Sequence, residues 1–171
     1  MFLDLKKEVF DNQDLERYLI NNNINLPEYR TAVIALFIDN DNNIYLQRRG
    51  PKSRDEVGML EDIGGAVEDD DLTFRDALIR EIKEEAGDKL NYDIKDLVGG
   101  CLINKYDSRT DSYVNWLFLL YECAYVSGEF LCNEEGKALG YEKYKYDNLP
   151  KEEVALSTLS FWEYYYNKKR D

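Results

Sequence analysis

Residues Gly64 to Gly87 read GGAVEDDDLTFRDALIREIKEEAG, and the second half of that stretch sets out a helix. Thr73 followed three residues on by Asp76 resembles the start of a capping box, and Gly87 stands where a helix commonly stops. At about 100° per residue, Phe74, Ala77, Leu78 and Ile82 gather into one apolar stripe. Glu81 and Glu85 fall within that stripe and Glu84 at its edge, while Arg75, Arg80 and Lys83 point elsewhere.

A Glu-rich helix is ordinarily a solvated face laced with i,i+4 ion pairs. Carboxylates set into a buried stripe behave differently, because they repel one another and take up protons unless a cation lies between them. Hard oxygen ligands at i, i+3 and i+4 suit Mg²⁺ or Mn²⁺. The stretch is therefore read as a metal-binding helix.

The same residues resemble the signature of the Nudix hydrolases, Gly-x5-Glu-x7-Arg-Glu-(aliphatic)-x-Glu-Glu-x-Gly. Gly65 matches the opening glycine, Arg80 and Glu81 the Arg-Glu pair, Ile82 the aliphatic position, Glu84 and Glu85 the acidic pair, and Gly87 the closing glycine. From Gly65 to Arg80 the chain is one residue longer than the pattern, and Asp71 or Asp70 replaces the isolated glutamate. The resemblance implies an α/β fold, a Nudix-type α/β/α sandwich with a mixed central sheet. It also implies a divalent-metal-dependent pyrophosphohydrolase, cutting a nucleoside diphosphate linked to another moiety such as a nucleotide or a sugar. In that reading Glu81, Glu84 and Glu85 hold Mg²⁺ or Mn²⁺ with the carbonyl of Gly64, and Arg80, braced by the aspartate, orients them. An acid from the late loop joins the site: Glu135, with Glu134 as the alternate. Glu81 and Glu135 both qualify as the base that takes the proton of the attacking water.

Working outward, the 171 residues are 44% hydrophobic and 13% aromatic, enough for one compact domain with a substantial core. The expected organisation is an N-terminal segment, 1–30, packed on a single domain, 31–171. No apolar run approaches the roughly 18 residues of a membrane span. The start carries Asp4 and Glu8 among its lysines and has no long apolar core, so it does not read as a secretion signal. Cys101, Cys123 and Cys132 form neither a CxxC pair nor an even framework, which points to a reducing cytoplasm.

A formal net charge of −13 disfavours nucleic-acid polymers and anionic membranes as partners. A small phosphate ligand remains compatible, since a divalent ion can carry it to an acidic site. The chain has no histidine, which closes mechanisms built on a histidine base or on histidine-ligated zinc.

In chain order, a strand at the start and a helix around Gln13 to Ile20 open the N-terminal segment, which covers the sheet or meets a second subunit of a homodimer. Thr31 to Ile38 and Ile44 to Arg48 read as strands around the polar turn Asp39 to Asn43. That turn lacks the glycine and the bidentate glutamate of an EF-hand loop, so it is read as a hairpin. Arg48 and Arg49 end the second strand and are candidates for gripping a substrate phosphate or base. Pro51 to Glu61 reads as a loop.

Lys95 to Asn104 and Tyr113 to Val126 read as further strands, the latter central because Trp116 to Tyr121 is uninterrupted by polar residues. The loop Tyr106 to Ser112 between them is placed over the site, with Tyr106 as a substrate contact by resemblance to relatives that hydrolyse dinucleoside polyphosphates. Asn133 to Tyr144 reads as the late loop, and a last helix, Ser157 to Lys168, packs Leu159, Phe161, Trp162 and Tyr165 on the sheet. Two rivals share the fold: a Nudix-like sensor that binds a nucleotide sugar without cutting it, and a diphosphate isomerase. The whole Arg80-Glu81 and Glu84-Glu85 set stands against the first, and the absence of histidine against the second.

Overall fold

The computed structural model describes residues 1–5 and 7–170 of the chain. Eight strands form one mixed sheet: β1 (Phe2–Leu3), β2 (Arg30–Ile38), β3 (Asn43–Arg49), β4 (Leu60–Glu61), β5 (Ile63–Ala66), β6 (Leu90–Asp107), β7 (Ser112–Gly128) and β8 (Ala138–Lys145). Three helices flank it, α1 (Asn12–Asn21), α2 (Phe74–Ala86) and α3 (Leu156–Arg170). Among the described residues no helix is long and apolar enough to cross a membrane.

The centre of the sheet is β2, whose run Ala32 to Ile38 is buried throughout. It pairs in parallel with β7 and antiparallel with β5, and a strand covered on both faces reads as a continuous apolar run. β6 and β7 make a long antiparallel ribbon, with β1 on its outer edge. The β2–β3 hairpin is tied by Asp39, whose carboxylate accepts from the backbone N–H of Asp41 and of Asn43, each at 2.9 Å. That local capping is what the polar turn supplies.

On one face Phe74, Leu78 and Ile82 of α2 meet Val33, Phe37 and Leu119, together with Leu15 and Leu19 of α1. On the other, Phe161, Trp162 and Tyr165 of α3 pack against Leu36, Leu46 and Leu120, with Leu159 partly buried beside them. Burying each such side chain contributes roughly 1.5–3 kcal/mol. The result is the expected three-layer α/β/α sandwich. Thr73 caps α2 by accepting the Asp76 N–H at 3.1 Å, and Gly87 closes it at φ +81°, as the sequence signals require.

Three segments read as loops differ. Leu60–Glu61 is β4, paired with Gln47 and Arg48. Ala138–Lys145 is β8, a strand along β3; its exposed alternation of tyrosine with Glu142, Lys143 and Lys145 hides an edge strand behind a loop-like composition. Tyr106, Asp107 and Ser112 belong to the β6–β7 ribbon, leaving only residues 108–111 as the turn.

Candidate active site

β2 and β3 are paired at Ile38 and Ile44 and then part, β2 taking β5 as its neighbour and β3 taking β4 and β8. The parting opens a cavity of about 540 Å³. β3 contributes Gln47 and Arg49 to its wall, β5 contributes Gly64 and Gly65, and α2 contributes Glu81, Glu84 and Glu85. Helix and strand can approach because Gly65 lacks a side chain: a Cβ there would lie 2.4 Å from the Glu81 carboxyl. A Cβ at Gly64 would lie 2.2 Å from the Val33 carbonyl oxygen. The paired glycines are thus a packing requirement.

Glu85 turns its carboxylate onto the sheet, where Oε2 accepts from the Gly64 N–H at 3.1 Å and from the Gln47 amide at 3.2 Å. Both donors are neutral. Burial, then the charges of Glu61 and Glu81, push its pKa well above the usual carboxylate range. Glu81 is 9% exposed and is also raised by burial, against the opposing pull of Arg80. Glu61, one strand over, is raised by burial and held back by Arg49. Glu134 joins the wall from the loop before β8 and is paired with Lys137 at 2.7 Å. Five glutamates of α2, β4 and this loop therefore share one cavity, and two of those in α2 lie where the helical wheel placed them.

Arg80 donates to both oxygens of Asp71, at 3.0 and 2.8 Å, and to the Ala66 carbonyl. Asp71 is thereby the acid that braces it, and its carboxyl is lowered chiefly by that contact. The guanidinium also donates to Glu81 at 2.8 Å and to Glu84 at 3.3 Å. The helical wheel pointed Arg80 away from these carboxylates, whereas the resemblance had it orient them; the side chain is long enough to fold back over them. Among the described residues, no three acidic side chains converge as placed into a group able to hold an ion. The donor chemistry nonetheless fits a hard divalent cation: clustered oxygens, no sulfur or imidazole in the set, and a half-buried Glu85 held only by neutral donors.

The other expected site residues divide. Arg49 lines the cavity, where it binds Glu61 and lies 2.7 Å from Asp55. Arg48 points to the opposite face with Ile44 and Leu46, and its guanidinium is held by Glu142 at 2.5 Å and Glu153 at 2.9 Å. The pairing of β3 with β8 is irregular between Arg48 and Arg49, and the two arginines take different partners on either side of it. Tyr106 is exposed, bonds Asp111 and lies outside this cavity. Glu135 is exposed and also outside it, whereas Glu134 lines it. Residues not anticipated are Gln47, Glu61, Lys52, Arg54, Arg109 and Lys137. Alternation from Arg49 would have found Gln47; Glu61 lies in the two-residue strand β4, too short for a period, and the rest come from loops whose course no periodicity records.

Comparison with known proteins places this geometry. The NUDIX domain family matches residues 28–163. A CTP pyrophosphohydrolase of Escherichia coli K12 is 44% identical over 55 residues, 32% of this chain, and the match spans only 39% of that relative's length. Among solved structures, the MutT protein of Methanosarcina mazei Go1 is 19% identical with a TM-score of 0.66, covering 85% of this chain and 97% of that one. The NUDIX domain of Shewanella oneidensis NrtR, solved with ADP ribose, is 13% identical with a TM-score of 0.64, covering 90% of this chain and 97% of that one. At such identities the structural likeness speaks for the fold alone.

Proposed function

Since the chain belongs to the NUDIX domain family, we propose that it is a pyrophosphohydrolase acting on a nucleoside diphosphate linked to another group, with Mg²⁺ or Mn²⁺ as cofactor. The observation that carries this reading is the set Glu81, Glu84 and Glu85 facing Glu61 and Glu134 across one cavity whose rim bears arginines and lysines. An acidic floor beneath a basic rim suits a metal–polyphosphate complex.

Glu81, Glu84 and Glu85, with the backbone of Gly64, are the residues to hold the ion. When bound, a divalent cation neutralises charge on the anhydride oxygens and makes a coordinated water more acidic. Arg80, fixed by Asp71, sets the orientation of Glu81 and Glu84 from behind. Gln47 and the Gly64 N–H fix Glu85. Of the two bases open on sequence grounds, Glu81 is favoured: it is buried, burial raises its pKa above the ordinary carboxylate value, and it lines the cavity, which Glu135 does not. Glu134 takes the place expected of Glu135. Arg49 is the strand arginine available to a substrate phosphate.

The test is release of mononucleotide or phosphate over nucleoside triphosphates, ADP-ribose, nucleotide sugars and dinucleoside polyphosphates, with Mg²⁺ and Mn²⁺ and after exhaustive chelation. Metal-dependent turnover of at least one of these is expected. Turnover that survives chelation overturns the metal site, and tight binding without turnover across the set overturns the enzyme in favour of a sensor.

A further inference from the structure

Asp107 is 2% exposed at the end of β6, yet no residue of the acidic floor touches it. Its two partners are both arginines that line the active-site cavity, and they come from separate loops. Arg109, in the β6–β7 turn, donates to Oδ1 through its backbone N–H at 2.9 Å and through Nε at 3.3 Å, and to Oδ2 at 3.2 Å. Arg54, in the segment between β3 and β4, donates to Oδ2 at 3.4 Å. The Thr110 hydroxyl and N–H bond the Asp107 carbonyl, closing the turn on the same residue.

Two guanidiniums thus share a single carboxylate, which leaves one positive charge uncompensated at the cavity wall. Lys52 lines the same cavity without an ion-pair partner among the described residues. Arg49 and Lys137, by contrast, are matched by Asp55 and Glu61 and by Glu134. Away from α2 the cavity is thus lined by five cations, Arg49, Lys52, Arg54, Arg109 and Lys137, whose paired acids are four, Asp55, Glu61, Asp107 and Glu134, an excess of one positive charge in a chain of net charge −13. A metal at the helix carboxylates already answers the charge of the anhydride being cut. The remaining excess suits a further anionic group on the substrate.

We propose that Asp107 is a positioning residue that holds Arg54 and Arg109 as a paired guanidinium clamp for an additional phosphoryl group, favouring a nucleoside triphosphate over a nucleoside diphosphate joined to a neutral sugar. The inference rests on the proposed hydrolase for its kinetics, and has a binding arm that does not. An ordinary turn needs no ionised carboxylate at its base, and burying one is unfavourable unless cations hold it. Asparagine at the position keeps the acceptor for the Arg109 N–H and removes the charge that gathers the two arginines.

The experiment compares wild type, Asp107→Asn, Asp107→Glu, Arg54→Ala and Arg109→Ala. With a nucleoside triphosphate, Asp107→Asn should raise KM about ten-fold, with kcat little changed. A nucleoside diphosphate sugar should show a much smaller change, and Asp107→Glu should recover part of the loss. Asp107→Asn added to a variant carrying both Arg54→Ala and Arg109→Ala should weaken binding no further. A KM unchanged in Asp107→Asn, or one shifted equally for both substrates, overturns the clamp and leaves a turn-forming residue. If the wild type turns over nothing, calorimetric binding of inorganic tripolyphosphate with Mg²⁺ decides: weakening of about ten-fold in Asp107→Asn supports the clamp, and unchanged affinity overturns it.

Discussion

Arg48 and Arg49 are neighbours on β3 and meet opposite surroundings. Arg48 lies on the α3 side between Glu142 and Glu153, with Tyr144 donating to Glu142 at 2.6 Å. Arg49 lies on the α2 side, where its acids are Asp55 and Glu61 and where Glu81 and Glu85 share the same cavity. On the first face the pairing favours the charged forms: Arg48 and Tyr144 hold the Glu142 carboxyl low, Arg48 being the larger cause. On the second, Glu61, Glu81 and Glu85 all lie above their ordinary values, burial being the first cause in each. A compensated cluster is satisfied within the fold. An uncompensated buried one is a demand for something from outside it.

The strongest way to break that contrast is to remove one charge from each face. Glu85→Gln should lower turnover by orders of magnitude while the protein still folds, since the amide keeps the shape but loses a ligand charge. Glu134→Gln should fall by roughly ten- to hundred-fold, as an acid supporting the site rather than forming its floor. Glu135→Gln and Glu142→Gln should leave turnover essentially as it was. Saturating Mg²⁺ in a release assay provides the measurement. A Glu135→Gln loss exceeding that of Glu134→Gln would reverse the assignment of the late-loop acid.

A smaller effect separates the faces by pH. A carboxyl whose folded pKa is raised destabilises the fold when ionised, so the penalty is present above that pKa and is relieved as pH falls through it. For metal-free protein, the melting temperature should therefore rise as pH is lowered from above the raised pKa values of these carboxyls through them, and the rise should shrink in Glu85→Gln. Glu142 has the opposite sign: its stabilisation is complete above its ordinary pKa and is lost only as pH falls through the lowered folded value. Saturating Mg²⁺ should abolish the first trend. A melting temperature flat over that range without metal would mean the site acids are compensated after all.

How much of this was legible in the sequence follows from which residues obey a period. Glu81 and Glu85 could be placed on the buried stripe of α2 because helical geometry fixes the angle between residues, and the Thr73 and Gly87 ends were visible as capping chemistry. The three layers followed from the apolar runs of β2 and β7 and the aromatic stripe of α3. Arg80 could not be settled on the wheel, because a long flexible side chain reaches beyond the angle of its Cα. β8 was missed because an edge strand carries charge where a central one carries valine. Glu61, Arg54 and Arg109 reach the cavity through chain crossings recorded only in three dimensions.

The smallest effect expected belongs to Arg48, and it tests the contrast at its narrowest point. Arg48→Ala strips a counter-charge from Glu142 and Glu153, whose side chains are 34% and 56% exposed, so solvent screens much of the loss. Stability should fall by about 1 kcal/mol or less, as for partly exposed pairs elsewhere. KM and kcat should not move, because the guanidinium is held by Glu142 and Glu153 and does not line the cavity. The companion Arg49→Lys keeps the charge but loses the planar fork that reaches Asp55 and Glu61 together, so KM should rise several-fold. Chemical denaturation and steady-state kinetics on the two variants separate the outcomes. If Arg48→Ala raised KM more than Arg49→Lys, the face of β3 that meets substrate would be the one toward α3, and the cavity beside α2 would lose its claim to the chemistry.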